Sequence, residues 1–201
     1  MLYDKDIREP LFEFLEEQYG RIRILEEKQM GRSRADLVMV LPGAVAGVEI
    51  KSDADTYARL SRQVKDYNQF FDYNLIAVGS SHAHHIEEHV PDWWGIITIE
   101  QGEKDGKTWI DFYVLRKARE NPNVDRKKTL GLLWRTELAH IQKVNHMARY
   151  QEKSKKFVID KILEKVPEKL LKEQISEELF ERDYIKIDQE IREYRRQRRR
   201  L

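Results

Sequence analysis

Two apolar runs separated by a tight-turn dipeptide constrain the fold of this chain more than any other feature. The runs cover 35–41 (ADLVMVL) and 44–50 (AVAGVEI), and Pro42-Gly43 lies between them. Short runs rich in valine and isoleucine are typical of strands, and proline followed by glycine is typical of a tight turn. The sequence therefore predicts an antiparallel hairpin, in which residues at equal distances from the turn lie side by side.

Strand-type and helical patterns around this hairpin predict a mixed α/β domain. Apolar residues recur at helical spacing over 4–19 and again over 55–71, where Asp53 or Asp55 is available as an N-terminal cap. Further strand-type runs are found at 21–27, 74–79, 94–100 and 109–115. Because the second helix joins two such runs, it is expected to be a crossover between strands of one sheet.

The chain divides into two parts joined by a polar stretch. Residues 1–116 carry the α/β pattern, and 117–128 lack apolar periodicity and contain Asn-Pro-Asn, which predicts a linker. Residues 129–201 form a predicted helical appendage, with helices over 130–148, 154–166, 168–180 and 184–201. Five arginines within 195–201 form a basic tail, which is either solvated or in contact with a phosphate backbone.

Composition excludes several classes of protein. The 201 residues include no cysteine, which excludes disulfide frameworks, thiolate zinc sites, iron–sulfur clusters and cysteine nucleophiles. No apolar run approaches the ~20 residues that a membrane span needs, and the charged N-terminus has no signal-peptide core. The protein is therefore expected to be cytoplasmic, without a membrane partner. Charged residues make up 36% of the chain, but 37 basic residues nearly balance 36 acidic ones, so net charge identifies no partner.

The predicted hairpin brings three ionisable side chains together. Side chains alternate faces along a strand, so Glu49 and Lys51 share one face. Asp36 lies on the other arm at the same distance from the turn as Glu49, so the two carboxylates are expected to meet. Adjacent carboxylates repel, and Mg²⁺ or Mn²⁺ relieves that repulsion while accepting phosphate oxygens. With Lys51 to orient a metal-activated water or to stabilise developing charge, the set is suited to phosphodiester hydrolysis.

Each of these residues also has an ordinary structural explanation. A Glu-x-Lys pair on a strand is common on any charged sheet, and Asp36 at the start of a strand is typical of a turn residue. The order of the elements favours the catalytic interpretation. Asp36 lies on one hairpin arm, Glu49 and Lys51 lie on the other, and a helix that carries Gln63 and Tyr67 follows.

Three short motifs in this order resemble those of the PD-(D/E)XK nuclease superfamily, and particularly its RecB-like branch. They are Arg34-x-Asp36, Glu49-x-Lys51 and Gln63-x-x-x-Tyr67, and the resemblance covers about residues 4–100. The sequence EIKSD, followed by a helix with the pattern DTxxRLxxQxxxY, is also similar to small bacterial proteins of that superfamily whose domain is uncharacterised. The superfamily's fold would make the α/β region a restriction-endonuclease-like mixed sheet core in the order αβββαβ, followed here by the C-terminal helical subdomain. Alanine stands at 35, where the superfamily's name has proline.

The resemblance implies metal ligands and a catalytic lysine. Asp36, Glu49 and the backbone carbonyl of Ile50 would be metal ligands, and Lys51 would be the catalytic lysine. The superfamily often supplies another acidic residue from the first helix or strand. Glu26 or Glu27 is the preferred residue here, and Glu9 is the next choice.

The resemblance also implies nucleic-acid contacts. Gln63 and Tyr67 would approach the site and the nucleic-acid strand, and Arg34 and Arg59 complete the predicted contacts. Tyr67 lies on the apolar stripe of its helix, so core packing explains it equally well. Gln63 lies off that stripe and is the better functional candidate, because its amide bridges a carboxylate and a substrate.

The function expected from these residues is that of a Mg²⁺-dependent nuclease, or a Mn²⁺-dependent one, that hydrolyses DNA phosphodiester bonds in repair or defence. The alternative is a non-catalytic module that binds DNA or a partner protein on a nuclease-like fold. A regulatory helix-turn-helix protein is a third class. DNA is the expected partner, and the oligomeric state is open, with a dimer among the choices.

Histidines and tryptophans form the remaining candidate groups. His82, His84, His85 and His89 are the densest set of nitrogen ligands, and His85 and His89 are spaced to share a zinc ion on one helix face. A polar helix start explains them more simply. Trp93 and Trp94 are expected to anchor the core or a sheet edge rather than to stack on bases.

Overall fold

Six strands form a single mixed sheet in the computed structural model, which describes residues 4–53, 55–104 and 106–183. The strands are β1 (Arg23–Met30), β2 (Ser33–Leu41), β3 (Ala44–Lys51), β4 (Tyr73–Gly79), β5 (Gly95–Lys104) and β6 (Lys107–Arg116). The helices are α1 (Asp4–Tyr19), α2 (Leu60–Phe70), α3 (Ser80–Ala83), α4 (Arg126–Gly131), α5 (Arg135–Val144), α6 (Lys155–Lys165) and α7 (Glu168–Phe180). The α/β class, the αβββαβ order and the helices that follow are confirmed.

The strands lie across the sheet in chain order, from β1 to β6. The central strands β3, β4 and β5 are parallel, and the pairs β1–β2, β2–β3 and β5–β6 are antiparallel. Helix α2 crosses over from β3 to β4, because parallel neighbours need a long connection. The β2–β3 hairpin pairs Leu41 with Ala44 and Leu37 with Val48, which is the predicted register. Gly43 has φ +73°, a conformation that glycine adopts in such turns.

Apolar residues on the two faces of the sheet form two separate cores. One core lies beneath α1, where Ile7, Leu11 and Leu15 pack on the sheet. The other includes Tyr67 of α2, Trp94, and buried residues of the four C-terminal helices. The helical subdomain therefore packs on the same face of the sheet as α2, and this face also carries the candidate site.

The predicted helix over 55–71 begins later than its periodicity indicates. A 3₁₀ turn (Tyr57–Arg59) leads into α2 at Leu60. Neither Asp53 nor Asp55 caps it. The Asp55 carboxylate instead accepts hydrogen bonds from the backbone N–H and the hydroxyl of Ser52, at 2.9 and 2.7 Å. This local turn competes with helix formation directly after β3.

The polar stretch 117–128 was predicted as a linker, and the predicted C-terminal boundary of that linker is wrong. Helix α4 begins at Arg126, with Asp125 accepting a hydrogen bond from the N–H of Lys127 at 3.0 Å. Asn121 is buried, and its amide donates to the carbonyls of Asn68 and Phe71, both at 2.8 Å. The stretch is therefore packed against the sheet domain. Its polar composition did not indicate this, because hydrogen bonds rather than apolar contacts hold it there.

The helices of the appendage are partly as predicted. The helices over 154–166 and 168–180 are confirmed as α6 and α7. The single helix predicted over 130–148 is wrong, because the chain turns between α4 and α5. There the Glu137 carboxylate accepts a hydrogen bond from the N–H of Trp134 at 2.6 Å and starts a new helix. The helix predicted over 184–201 and the arginine tail lie outside the described residues.

Within the part of the chain that the structure describes, no helix is long and apolar enough to cross a membrane.

Candidate functional site

The candidate site lies where β2 and β3 separate. Their ladder ends at the pair Leu37 and Val48, and Asp36 and Glu49 occupy the next position. There Oδ2 of Asp36 accepts a hydrogen bond from the backbone N–H of Ile50 at 2.9 Å. The side chain replaces a strand partner for this N–H, so the strands part without leaving a buried donor unsatisfied. Asp36 thus lies beside Glu49, as the hairpin register predicts.

Glu49 is the centre of a hydrogen-bonded cluster and is 0% exposed. Its Oε1 accepts hydrogen bonds from Nζ of Lys51 and from Nε2 of Gln63. Its Oε2 lies 2.8 Å from the hydroxyl of Tyr67. Strand β3 holds Glu49 and Lys51 on one face, and α2 holds Gln63 and Tyr67 one turn apart above them. The residues of two predicted motifs therefore meet at one carboxylate.

The acidic pair is electrostatically strained without a cation. The pKa of the Glu49 carboxyl is raised to about 7, first by burial and second by the charge of Asp36. The Lys51 ammonium and the hydrogen bonds from Lys51 and Tyr67 act in the opposite direction. A bound divalent cation would offset both the desolvation of Glu49 and its repulsion by Asp36.

Tyr67 is enclosed by the core and acts on the acidic pair. It is 0% exposed, and its ring lies 5.4 Å from the rings of Phe71 and Trp94 between centroids. Its hydroxyl accepts a hydrogen bond from the N–H of Asp36 at 3.3 Å. Burial, followed by the charges of Glu49 and Asp36, raises the pKa of this hydroxyl well above its ordinary value. The predicted contact between Tyr67 and a nucleic acid is therefore wrong, because the core encloses the side chain.

Gln63 lies at the edge of the cluster, and only one of its two side-chain polar atoms has a hydrogen-bond partner among the described residues. Its Nε2 donates to Glu49, while its Oε1 is shielded from solvent and has no hydrogen-bond partner among the described residues. A buried amide oxygen without a partner is costly, so a donor such as a bound water is expected beside it.

A cavity of about 400 Å³ opens in front of the acidic pair. Its buried part holds Glu49 and Lys51, and Asp36 and Gln63 are half-buried at its wall. Four exposed arginines line its outer part, namely Arg32, Arg34, Arg59 and Arg62. Oppositely charged inner and outer parts suit a site that holds a cation inside and phosphate groups outside.

Three of these four arginines are available to an anion. Arg34 forms an ion pair with Glu27 at 3.0 Å. Arg32, Arg59 and Arg62 make no ion pair with any residue in the described ranges. Arg34 and Arg59, expected from the sequence to contact nucleic acid, therefore lie at the cavity, and Arg59 is the less encumbered of the two.

The expectation that Glu26 or Glu27 joins the metal ligands is wrong. Glu26 pairs with Arg8 at 3.0 Å, and Arg8 belongs to α1, on the opposite face of the sheet. Glu27 pairs with Arg34 at 3.0 Å, and it has φ +50°, which interrupts the β1–β2 ladder there. Neither lines the cavity. Glu9 is exposed on α1. The arginine partners explain these glutamates fully, and sequence spacing alone does not reveal such pairing.

Sequence reasoning missed five residues of the cavity. Asp55 lines it as the third acidic residue, and Arg32 and Arg62 complete its outer part. Gln29 and Ser33 also line it. A signal was present for Arg32, because it precedes β2 directly and continues the two-residue spacing of Arg34 and Asp36. For Asp55 the sequence indicated only a helix cap. Its position at the cavity depends on the turn that follows β3.

The donor set fits a hard divalent cation held mainly by solvent. Within the described residues no group of three or more histidine, cysteine or acidic side chains could hold a metal ion. Mg²⁺ needs fewer protein ligands, because it keeps several waters and is commonly bound by one or two carboxylates plus substrate phosphates. Asp36 and Glu49 would hold it with the Ile50 carbonyl. Gln63 Oε1 would accept a hydrogen bond from one of its waters.

Two of the four histidines pack on an aromatic ring, and no metal-holding group of histidines is found among the described residues. The ring of Tyr57 lies 4.9 Å from that of His82 and 4.4 Å from that of His89. His85 and His89 flank a 3₁₀ turn (Ile86–Glu88) instead of sharing one helix face. Trp94 is fully buried and donates to Asn68 at 2.8 Å, so it anchors the core.

Comparison with known proteins assigns the whole chain to one family. A family model described as "Bacteriophage P4 protein cII" matches residues 2–200. The chain belongs to the bacteriophage P4 protein cII family. No curated protein sequence matches this cII family member.

One solved structure aligns with the cII family member over part of its length. It is Pyrococcus furiosus SfsA in complex with Ca²⁺, at 14% identity and a TM-score of 0.37. The alignment covers 57% of this chain and 63% of that chain, which is less than two thirds of the SfsA chain.

Proposed function

We propose that this cII family member is a Mg²⁺-dependent nuclease that hydrolyses DNA phosphodiester bonds. The observation that carries the proposal is the convergence of Asp36, Glu49 and Lys51 at the open end of the β2–β3 pair. Support also comes from the order of the motifs along the chain, which resembles that of the PD-(D/E)XK superfamily. The exposed arginines of the cavity would hold the DNA backbone.

In this proposal, residues of the chain bind the cation and stabilise the negative charge that develops on the phosphate. Bound Mg²⁺ would activate a water and polarise the phosphoryl group. Asp36 and Glu49 supply the negative charge that holds the cation, and Gln63 and Tyr67 fix the orientation of Glu49 through hydrogen bonds. Lys51 keeps its ammonium at the cavity, where it stabilises the negative charge that develops on the phosphate.

The ammonium of Lys51 has a second partner in the absence of substrate. It pairs with the Glu49 carboxylate, and its side chain is 7% exposed. Binding of a cation to Glu49 would weaken this pair, because the carboxylate charge is then shared. Lys51 would turn to the phosphate at that point, so cation and substrate binding are expected to be coupled.

The alternative is a module that binds DNA without cutting it. One observation favours this alternative: the cavity offers two close carboxylates, Asp36 and Glu49, while Asp55 is committed to Ser52. A nuclease that needs a third acidic ligand would be incomplete here. The two functions make opposite predictions for cleavage and the same prediction for binding, so one assay separates them.

The test is cleavage of supercoiled plasmid and linear DNA with Mg²⁺ or Mn²⁺, against EDTA. Wild-type protein is expected to cut only with metal, and Asp36→Ala and Lys51→Ala are expected to bind DNA without cutting it. Lys65→Ala is the matched control, because Lys65 is exposed on α2 and does not line the cavity. If wild type binds DNA but cuts none with either metal, the nuclease proposal is wrong and the binding module remains.

A further inference from the structure

A cluster of cations lies outside the candidate site, where β1 meets the helical subdomain. Nζ of Lys28 lies 5.8 Å and the guanidinium carbon of Arg182 lies 4.3 Å from the ring centroid of Trp134. Arg135 follows Trp134 directly, and Lys155 donates to the carbonyl of Gly131 at 2.7 Å. Strand β1, the starts of α5 and α6 and the segment after α7 therefore bring four basic residues together.

We propose that Lys28, Arg135 and Lys155 form a phosphate-binding site beside Trp134. All three side chains are only partly exposed, so a ligand reaches them while the surrounding protein limits screening by water. Arg182 is buried beneath them and adds a fixed positive charge. A tetrahedral anion with several acceptor oxygens matches donors that approach from different elements.

Among the described residues, the charges of the cluster do not balance. Within that part of the chain, Glu137 is the carboxylate that acts electrostatically on Lys28 and Lys155. Its two oxygens accept hydrogen bonds from Nε and Nη2 of Arg182, both at 2.6 Å, and one of them also accepts from the N–H of Trp134. Glu137 is therefore committed to Arg182, and Lys28, Arg135 and Lys155 form no ion pair with a carboxylate of the described residues.

Without a bound anion, the excess positive charge disfavours the protonated state of both lysines. Burial lowers the pKa of Lys155, and the positive charges of Arg182 and Arg135 lower it further, against the opposing effect of Glu137. Lys28 is affected in the same way by burial, by Arg182 and by Lys155. A bound phosphate would reverse both effects, because an opposite charge favours the protonated ammonium.

Helix geometry adds to the positive potential. Helix α5 begins at Arg135 and α6 begins at Lys155, and both have ten or more residues. The N-terminus of a helix carries a partial positive charge, so basic residues there are unfavourable unless an anion is bound. Nη1 of Arg135 is also shielded from solvent and has no hydrogen-bond partner among the described residues.

The cluster is adjacent to the candidate active site along β1. Lys28 precedes Gln29, and Gln29 lines the cavity that holds Asp36 and Glu49. A nucleic-acid strand that crosses the cavity and continues toward α5 and α6 would bring one of its phosphates to the cluster. This assignment of the phosphate to a DNA strand rests on the proposed function, whereas the phosphate site itself does not.

The first test measures inorganic phosphate binding by isothermal titration calorimetry at constant ionic strength, with chloride as the reference anion. The full chain carries Arg32→Gln, Arg59→Gln and Arg62→Gln, which removes the three cavity arginines that make no ion pair in the described ranges. Lys155→Met and Lys28→Met are each expected to weaken phosphate binding at least about tenfold, since each removes a charge-assisted hydrogen bond. Lys161→Met is the matched control on α6, because Lys161 pairs with Glu164 instead.

Two results would overturn the site: phosphate binding no stronger than chloride binding, or equal affinity of the Lys155→Met and Lys161→Met proteins. Lys155→Arg keeps the positive charge and is expected to retain binding within about threefold, which separates lost charge from lost folding. If one lysine variant fails to fold, the other variant decides the question, because the two residues lie on different elements.

The second test identifies the source of the phosphate with single-stranded oligonucleotides. The protein carries Lys51→Ala, so the measurement does not depend on cleavage. Tighter binding of a 5′-phosphorylated strand, lost in Lys155→Met, supports a terminal phosphate, and equal binding of both strands, weakened by Lys155→Met, supports a backbone phosphate. If Lys155→Met changes binding of neither strand while inorganic phosphate still binds, the DNA assignment is wrong and the ligand is a small phosphate compound.

Discussion

Glu49 combines two properties that oppose each other in a protein without a bound cation. It is fully buried beside a second carboxylate, and hydrogen bonds from three side chains nevertheless hold it in place. The raised pKa means that the folded protein keeps a proton on Glu49 at pH values where the unfolded chain has lost it. The contribution of Glu49 to the stability of the cation-free protein therefore falls as pH rises from about 4.5 to about 7.

Binding of Mg²⁺ is expected to depend on pH through Glu49. The cation needs the deprotonated carboxylate, so protons compete with it below the pKa of about 7. The increase in melting temperature caused by Mg²⁺ should grow between pH 6 and pH 8 and change little above that. Thermal unfolding at several pH values measures this, with Glu49→Gln as the control that should show no pH-dependent increase. A constant Mg²⁺ effect from pH 6 to pH 8 in wild type would contradict the assignment of Glu49 as a ligand.

Replacement of Tyr67 by phenylalanine removes one hydroxyl from the site and keeps the aromatic ring. Tyr67→Phe keeps the ring packing on Phe71 and Trp94 but removes the donor to Glu49, together with the hydroxyl's contacts to the N–H of Asp36 and the carbonyl of Val48. The cost is about 1.5–3 kcal/mol, as expected for a hydrogen bond to a charged group, and cleavage should fall about tenfold or more. The pH at which Mg²⁺ binds half-maximally should rise, since the hydroxyl favours the carboxylate. Unfolding and cleavage assays measure these effects, and Tyr113→Phe, outside the site, should change neither.

At the scale of elements, the site depends on how closely α2 approaches β3. Gly47 makes this approach possible, because a Cβ there would lie 2.3 Å from Cδ2 of Phe71 and 2.6 Å from Cδ1 of Tyr67. Tyr67 and Gln63 reach Glu49 only if the helix is this close. The glycine two positions before Glu49 therefore controls the geometry of the site without touching its chemistry.

Substitution of Gly47 by alanine is expected to push α2 away from the sheet. Overpacking of this kind costs about 1–3 kcal/mol, and the displacement should also weaken the Gln63 and Tyr67 hydrogen bonds to Glu49. Gly131→Ala is the matched control, since nothing lies within 4 Å of a Cβ at Gly131. Urea unfolding and Mg²⁺ binding measure the two effects. Equal stability of the two variants would show that α2 is not held as closely as described.

At the scale of the whole molecule, buried ion pairs join the helical subdomain to the sheet. Asp72, just before β4, accepts a hydrogen bond from Nη2 of Arg126 at 2.8 Å and another from the N–H of Val45 at 2.9 Å. Asp72 is 1% exposed, so these partners replace the water that a carboxylate would otherwise bind. Because the subdomain and the sheet also share one apolar core, the described residues are expected to unfold together.

Loss of the Arg126 guanidinium should destabilise the whole molecule rather than the subdomain alone. Arg126→Met leaves the buried Asp72 charge poorly paired, at a cost of about 3–5 kcal/mol. The variant should still unfold in one transition, as followed by circular dichroism and tryptophan fluorescence. Lys161→Met breaks a surface ion pair and should have no measurable effect. Two separate transitions in wild type would mean that the subdomain folds independently.

The sequence by itself determined the α/β class, the hairpin register and the identity of the residues that meet at Glu49. These follow from local rules, because the two-residue period of a strand and the Pro42-Gly43 turn fix which side chains share a face. Helical spacing likewise determined that Gln63 and Tyr67 lie one turn apart.

Only the tertiary structure decided which charged groups are already paired. The sequence offered Glu26 and Glu27 as candidates for an additional metal ligand, but they form ion pairs with Arg8 and Arg34. The cations around Trp134 come from β1, α5 and α6, which are more than a hundred residues apart in places. Charge pairing depends on distance in space, and a chain reveals that distance only when its elements have packed.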